Sequence, residues 1–201
     1  MEDIKKERTF VAVKPDGVQR GMIGEIIKRY ERSGLKLVGI KMVVPAVELV
    51  EKFYSIDPEW KRKAGEKAIA AYVKKGKTPP VNDPMQVGEI VLDKLKKYLA
   101  SGPVVAMVWQ GMHAVGIIKK ITGITEPLTS DAGTIRGDLT IDSYEVADMD
   151  GRATRNLVHC STSIEEAEKE IPLWFMPQEL IDYRLINDAI LYDVNLDGIL
   201  E

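Results

Sequence analysis

Apolar residues recur along this chain with two periods, and the points where the period changes divide it into elements. In "RTFVAV", ending at Val13, β-branched and apolar residues run on until "KPDG", a turn sequence. The pattern predicts a strand with Lys14 at its end. The next segment sets Ile23, Ile26, Ile27 and Tyr30 at helical spacing before Ser33-Gly34, so a helix is expected over roughly Met22 to Arg32. "LKLVGIKMVV" alternates and is β-branched, a second strand ended by Pro45, and "AVELVEKFYSI" reads as a second helix.

From Pro58 to about Leu92 the texture changes to helix, Pro-rich turn and helix, broken at Pro79, Pro80 and Pro84. "PVVAMVWQG" is a continuous apolar run between Gly102-Pro103 and Gly111, as expected of a central strand. "HAVGIIKKITG" follows as a short helix, and "ITEPLTSDAGTIRGD" as a loop. "LTIDSYEVADMDGRATRNLVH" reads as strand, turn at "DMDG", strand, with a closing helix from Ser163. This order predicts an α+β fold: an antiparallel sheet covered by helices, with a ferredoxin-like βαββαβ core. One domain over 1–201 accommodates it, with inserts at about 58–92 and 143–154 and a C-terminal extension over 184–201.

Composition narrows the function classes. With 201 residues and 45% apolar content the chain can bury one sizeable core. The net charge of −3 is spread along the chain, which argues against nucleic acid or a membrane surface as partner of the whole molecule. A charged N-terminus without an apolar segment, and no run long enough to span a bilayer, point to the cytoplasm. The single cysteine, Cys160, forms no intramolecular disulfide.

Candidate chemistry centres on His159, one of two histidines. It ends the apolar run "NLV" just before Ser163 and Glu166, an S-x-x-E capping pattern. An imidazole held by a strand before a helix N-terminus is well placed to receive a phosphate. Glu170 can swing back and fix the ring's tautomer by accepting a hydrogen bond. Lys14, Thr125 in "TGITEP" and Arg136 in "GTIRGD" fall in or near loops, where phosphate oxygens are gripped.

The blocks "RTFVAVKPDGVQRGMIGEIIKRYERSGLKLVGIKM", "SGPVVAMVWQG", "GTIRGD", "RNLVHCSTS" and "EEAEKEIPLWF", in this order, resemble the successive signatures of nucleoside diphosphate kinases. The resemblance implies ping-pong transfer of the γ-phosphate of a nucleoside triphosphate to a nucleoside diphosphate, through a phosphohistidine at His159. It implies that Lys14, Tyr54, Thr125 and Arg136 bind the phosphates, that Asn156 contacts the sugar, and that Ser161 and Glu170 orient the histidine. It further implies Mg2+ carried in with the nucleotide and a homo-oligomer, with a hexamer favoured. Where the family has Gly-Ser-Asp after its histidine, this chain has Cys160-Ser161-Thr162. Lys119 stands at the position of a phosphate-binding arginine, a point charge in place of a fork. The first insert interrupts the segment that carries the base-stacking aromatic, for which Trp60 is the substitute. The second disturbs the apolar residue on the other side of the base.

Three other patterns stand in the sequence. "AYVKKGKT" nearly matches a P-loop, but it ends a helix and meets Pro79-Pro80 instead of following a strand. "DVNLDGILE" begins like an EF-hand loop, with no closing glutamate. The lysine-rich stretch over 61–77 offers a nucleic-acid surface or a solvated face. The rival to the kinase reading is a catalytically weak nucleotide-binding regulatory or interaction module, suggested by Cys160 and Thr162.

Overall fold

Strand β1 (Arg8–Val13) leads into a short helix, α1 (Pro15–Gln19), where the sequence pattern suggests a turn. Pro15 sits at the first helical position, its φ preset and its missing N–H without consequence there. Helix α2 (Ile23–Glu31) and strand β2 (Lys36–Val43) follow within a few residues of expectation, and then α3 (Val47–Tyr54). The computed structural model describes residues 5–192 apart from 75, 77 and 80.

The segment expected as a first insert, about 58–92, falls in a helical hairpin, α4 (Trp60–Lys74) and α5 (Pro84–Leu99). Asp83 caps α5 by accepting the N–H of Met85. The two helices cross at glycines: a Cβ on Gly65 would lie 1.9 Å from the Pro84 carbonyl oxygen, and one on Gly88 would lie 2.0 Å from that of Lys61. Much of the hairpin's basic charge is locally paired, Lys61 with Glu89, Arg62 with Glu59 and Glu66, and Lys63 with Asp57. The P-loop-like segment closes α4 at Lys74 and then turns at Gly76, without a preceding strand.

Strand β3 (Val104–Gln110) is buried along its whole length, as its unbroken apolar run predicts, and helix α6 (Ala114–Thr122) returns across the sheet. The following loop contains a 3-10 turn (Pro127–Thr129) and then, against the sequence reading of a loop, helix α7 (Ile135–Leu139), which carries Arg136. Thr134 starts α7 by accepting the N–H of Gly137. The expected strand-turn-strand over residues 139–159 is also corrected. Ser143 caps a helix, α8 (Tyr144–Met149), and only β4 (Val158–Cys160) joins the sheet. A capped turn outweighs a short alternation that has no partner strand to pair with. The loop around α8 is clasped by Asp142, which accepts two hydrogen bonds from the Arg152 guanidinium and one from the Arg155 N–H. Helix α9 (Ile164–Trp174), a 3-10 turn (Pro177–Glu179) and α10 (Asp188–Leu191) complete the described chain. The EF-hand-like tail from Asp193 lies outside the described residues.

The sheet has the order β2-β3-β1-β4 with antiparallel neighbours, the ferredoxin-like arrangement expected. Each face carries its own core. Val11, Val13, Val158 and Cys160 pack with Ile26, Tyr30 and Ile118 from α2 and α6. Phe10, Ala12, Val50, Phe53, Leu99 and Trp174 form the other core, with α3, α5 and α9 over it. Among the described residues no helix is long and apolar enough to cross a membrane.

Candidate active site

Alternation along β4 separates His159 from its neighbours. Val158 and Cys160 point into the α2/α6 core, while His159, directly across from Ala12, faces the other side. There its ring meets Phe53 edge-on with centroids 4.7 Å apart. Nε2 lies 2.8 Å from Glu170 Oε1, and Ser161 Oγ donates to Glu170 Oε2 at 2.6 Å. Glu170 comes from the middle of α9 and is only 2% exposed. A buried carboxylate that accepts from both sides assigns the proton to Nε2 and leaves the Nδ1 lone pair outward. Among the described residues Nδ1 has no hydrogen-bond partner, and the side chain keeps 16% of its surface.

Lys14, at the end of β1, is 5% exposed. Its Nζ donates to Asn156 Oδ1 at 2.8 Å, and Asn156 Nδ2 donates in turn to the Thr125 carbonyl at 2.9 Å. Burial, followed by the nearby Arg136 cation, lowers the Lys14 ammonium from 10.5 to about 7, although Asp16 and Cys160 pull it back. Such a lysine carries its charge readily only once an anion joins it.

Between these groups the chain makes a tight turn. Leu157 has φ +65°, and the Val158 N–H closes a three-residue ring on the Asn156 carbonyl at 2.7 Å. Arg136, buried on α7, braces the turn: Nε donates to the carbonyl of Asn156, Nη2 to that of Val158, and Nη1 to Gly123. Lys14 N–H takes the Leu157 carbonyl at 2.7 Å.

Of the residues expected from the sequence, Lys14, Asn156, Thr125 and Arg136 thus form one network, and His159, Glu170 and Ser161 a second, joined through residues 156–159. Tyr54 packs on Phe53 and Trp60, with ring centroids 5.1 and 5.4 Å apart, and burial with the Glu170 charge pushes its phenol upward. Trp60 opens α4 beside it. Thr125 and Lys119 are exposed, and the Lys119 ammonium has no partner among the described residues. The capping pattern is half realised: Ser163 accepts the Glu166 N–H, but the Glu166 carboxylate reaches Thr162, its N–H and hydroxyl, instead of the cap.

An unpaired Nδ1 lone pair can take a phosphoryl group, and Lys14 and Arg136, both bonded to the turn over 156–158 that leads to it, bring cations to the same segment. The model of the family described as nucleoside diphosphate kinase matches residues 7–77 and 85–180. The chain belongs to the nucleoside diphosphate kinase family. A nucleoside diphosphate kinase of Pyrobaculum aerophilum is 46% identical over 180 residues, covering 88% of this chain and 98% of the relative. Nucleoside diphosphate kinase A of Homo sapiens is 42% identical over 187 residues, covering 93% of this chain and 97% of its own. Among solved structures, a Borrelia burgdorferi nucleoside diphosphate kinase, a transition-state mimic with bound vanadate and ADP, superposes with a TM-score of 0.75 at 30% identity, over 93% of this chain and 97% of that one.

Two residues at the heart of this nucleoside diphosphate kinase-like site escaped sequence reasoning. Asp16 accepts the Leu157 N–H at 3.1 Å through Oδ2, and its Oδ1 accepts the Tyr98 hydroxyl. Asp16 falls in a segment whose sequence suggests a turn and Tyr98 in one that suggests a helix; the only signal is their polarity beside buried positions.

Proposed function

We propose that this chain transfers the γ-phosphate of a nucleoside triphosphate to a nucleoside diphosphate by way of His159. The Nδ1 lone pair attacks the γ-phosphorus as the bond to the bridging oxygen breaks, and the first diphosphate leaves. A terminal oxygen of the second diphosphate then attacks the phosphohistidine and frees Nδ1. Glu170, held by Ser161, accepts the Nε2 proton's hydrogen bond throughout and balances the positive charge that the ring gains. Lys14 and Arg136 supply cations to a loose transition state that needs positioning more than covalent help. Tyr54, Thr125 and Lys119 complete the phosphate contacts in this reading, Asn156 reaches the sugar, and Trp60 beside Tyr54 stacks the base.

The observation that carries the reading is the Ser161–Glu170–His159 chain, which leaves Nδ1 unpaired just beyond the turn over 156–158 to which buried Lys14 and Arg136 are bonded. The residues around the phosphate position are donors, which suits phosphates. The described residues include no group of three or more His, Cys, Asp or Glu placed to hold a metal. Mg2+ held by the nucleotide's own phosphate oxygens fits this donor set and would offset their charge.

The same reading includes a single domain with its two inserts and extension, a cytoplasmic location and a homo-oligomer, hexamer first. The last is supported by the edge strand β2, where Ile40, Met42 and the following Val44 are 50%, 58% and 68% exposed. The local pairing of Lys61, Arg62 and Lys63 weighs against a nucleic-acid partner.

The test is labelled ATP with Mg2+ and no acceptor. An acid-labile, base-stable phosphoryl bond should form, be absent in His159→Ala, and discharge onto added GDP. Nucleotide binding without label on His159 would replace this reading with that of a binding module.

A further inference from the structure

We propose that Tyr98, acting through Asp16, is a positioning residue for the transfer, holding the histidine-bearing turn in register with the buried lysine. The inference rests on the reading of His159 as phosphoryl carrier.

Tyr98 lies in the last turn of α5. Its ring stands 5.4 Å from Lys14 Nζ, close enough for the quadrupole to favour the ammonium, and its hydroxyl donates to Asp16. Asp16 passes that restraint to the Leu157 N–H. Leu157 is fully buried, lies in the left-handed region without being glycine, and is followed two residues later by His159. A backbone of this kind persists only where its surroundings over-determine it. Three restraints surround it here. Arg136 grips the carbonyls on either side, the Lys14 N–H takes the Leu157 carbonyl, and Asp16 takes the Leu157 N–H.

The Leu157 N–H is the one backbone group of that residue held by a side chain, and the hydroxyl of Tyr98 is what aims that side chain. One phenol therefore touches both halves of the site: the ring faces the lysine that meets the phosphates, and the oxygen steadies the turn that presents the histidine. Burial and then the Asp16 charge push the phenol upward, so it remains a donor at any working pH.

The test uses Tyr98→Phe in the full chain, which keeps the ring and removes the donor, and Asp16→Asn, which keeps an acceptor for Leu157 and removes the charge. Single-turnover labelling of His159 by ATP and Mg2+ is followed over a range of ATP concentrations, with thermal melting in parallel. The rate constant at saturation should fall on the order of ten-fold in each variant, with half-saturation within about two-fold of the original. The double variant should be no slower than the slower single, because both act on one device.

Original rates in Tyr98→Phe, or losses that multiply in the double variant, would overturn the inference while leaving His159 as carrier. A loss that tracks melting temperature and disappears on cooling would also overturn it, since that is the signature of a purely structural contact. If the unsubstituted chain takes no label on His159, the carrier reading fails and this inference with it.

Discussion

Lys14 gives the site a proton linkage that can be measured without any chemistry. Burial and Arg136 hold its ammonium at about 7 in the free protein. At pH 8 only about one lysine in ten is then charged. In the proposed reading nucleotide phosphates lie at its Nζ and reverse the balance, because they supply the opposite charge that burial lacks. Binding a nucleoside diphosphate at pH 8 should therefore draw in about 0.9 proton per site, a phosphate being fully ionised by then. Above pH 7 the affinity should weaken about ten-fold per pH unit, until the lysine loses its proton in the complex as well.

Calorimetric titration of Mg2+–ADP in buffers of different ionisation enthalpy reads the uptake directly, and Lys14→Met should abolish it. Uptake below about 0.2 proton at pH 8, or an affinity flat between pH 7 and 9, would refute the reasoning. The same shift acts on folding with the opposite partner. The unfolded chain binds the proton more tightly than the folded one, so ligand-free stability should rise from pH 7 toward 10.5 as the burial penalty is relieved, by up to about 1.4 kcal/mol per pH unit.

Glu170→Gln keeps the shape of the His159 partner and removes its charge; phosphorylation of His159 should slow on the order of 10–100-fold in quench-flow labelling, with nucleotide affinity nearly unchanged. Gly65→Ala forces a methyl against the Pro84 carbonyl, so the α4/α5 hairpin must open; a loss of about 1–3 kcal/mol and a melting temperature lower by roughly 3–10 °C are expected by calorimetry. Asp142 is held below the usual carboxylate range: burial opposes the shift, but the Arg152 fork and the N–H groups of Arg155 and Ser143 outweigh it. Its contribution is therefore present above about pH 4 and lost as pH falls through its folded value. Arg152→Ala should cost about 1–3 kcal/mol in urea unfolding at pH 7, and the difference should shrink toward pH 3.

The sheet and its two flanking helices were legible because long apolar runs such as "PVVAMVWQG" and the spacing of Ile23, Ile26, Ile27 and Tyr30 leave one burial solution. The elements misread are short ones. Helices α1, α7 and α8 each span six residues or fewer, too short for a helical period to emerge, and they are decided by a proline or a capping hydroxyl. In the site, a lysine closing a strand pointed to Lys14, a histidine closing an apolar run to His159, and the spacing along the following helix to Glu170. Tyr98 and Asp16 stayed hidden because the bond between them joins residues 82 apart, a pairing that only the folded sheet creates. Lys119, which the resemblance sets at the position of a phosphate-binding arginine, is exposed and lies outside the buried network.

The strand order also has a consequence for the nascent chain. Strand β1 is the second element from one end of the sheet, with β3 on one side and the last strand, β4, on the other. During synthesis β1 can zip onto β3 once residue 110 has left the ribosome, but its other edge stays bare for some fifty residues more. That edge carries the backbone N–H and carbonyl groups of Val11 to Val13, which pair with β4 in the finished molecule. Over this interval the partial chain presents an apolar, unpaired template of the kind on which chains stick to one another. Arrival of residues 158–160 ends that exposure and installs the reactive imidazole in the same event, so a ribosome stalled before this point leaves a chain that is at once inert and adhesive.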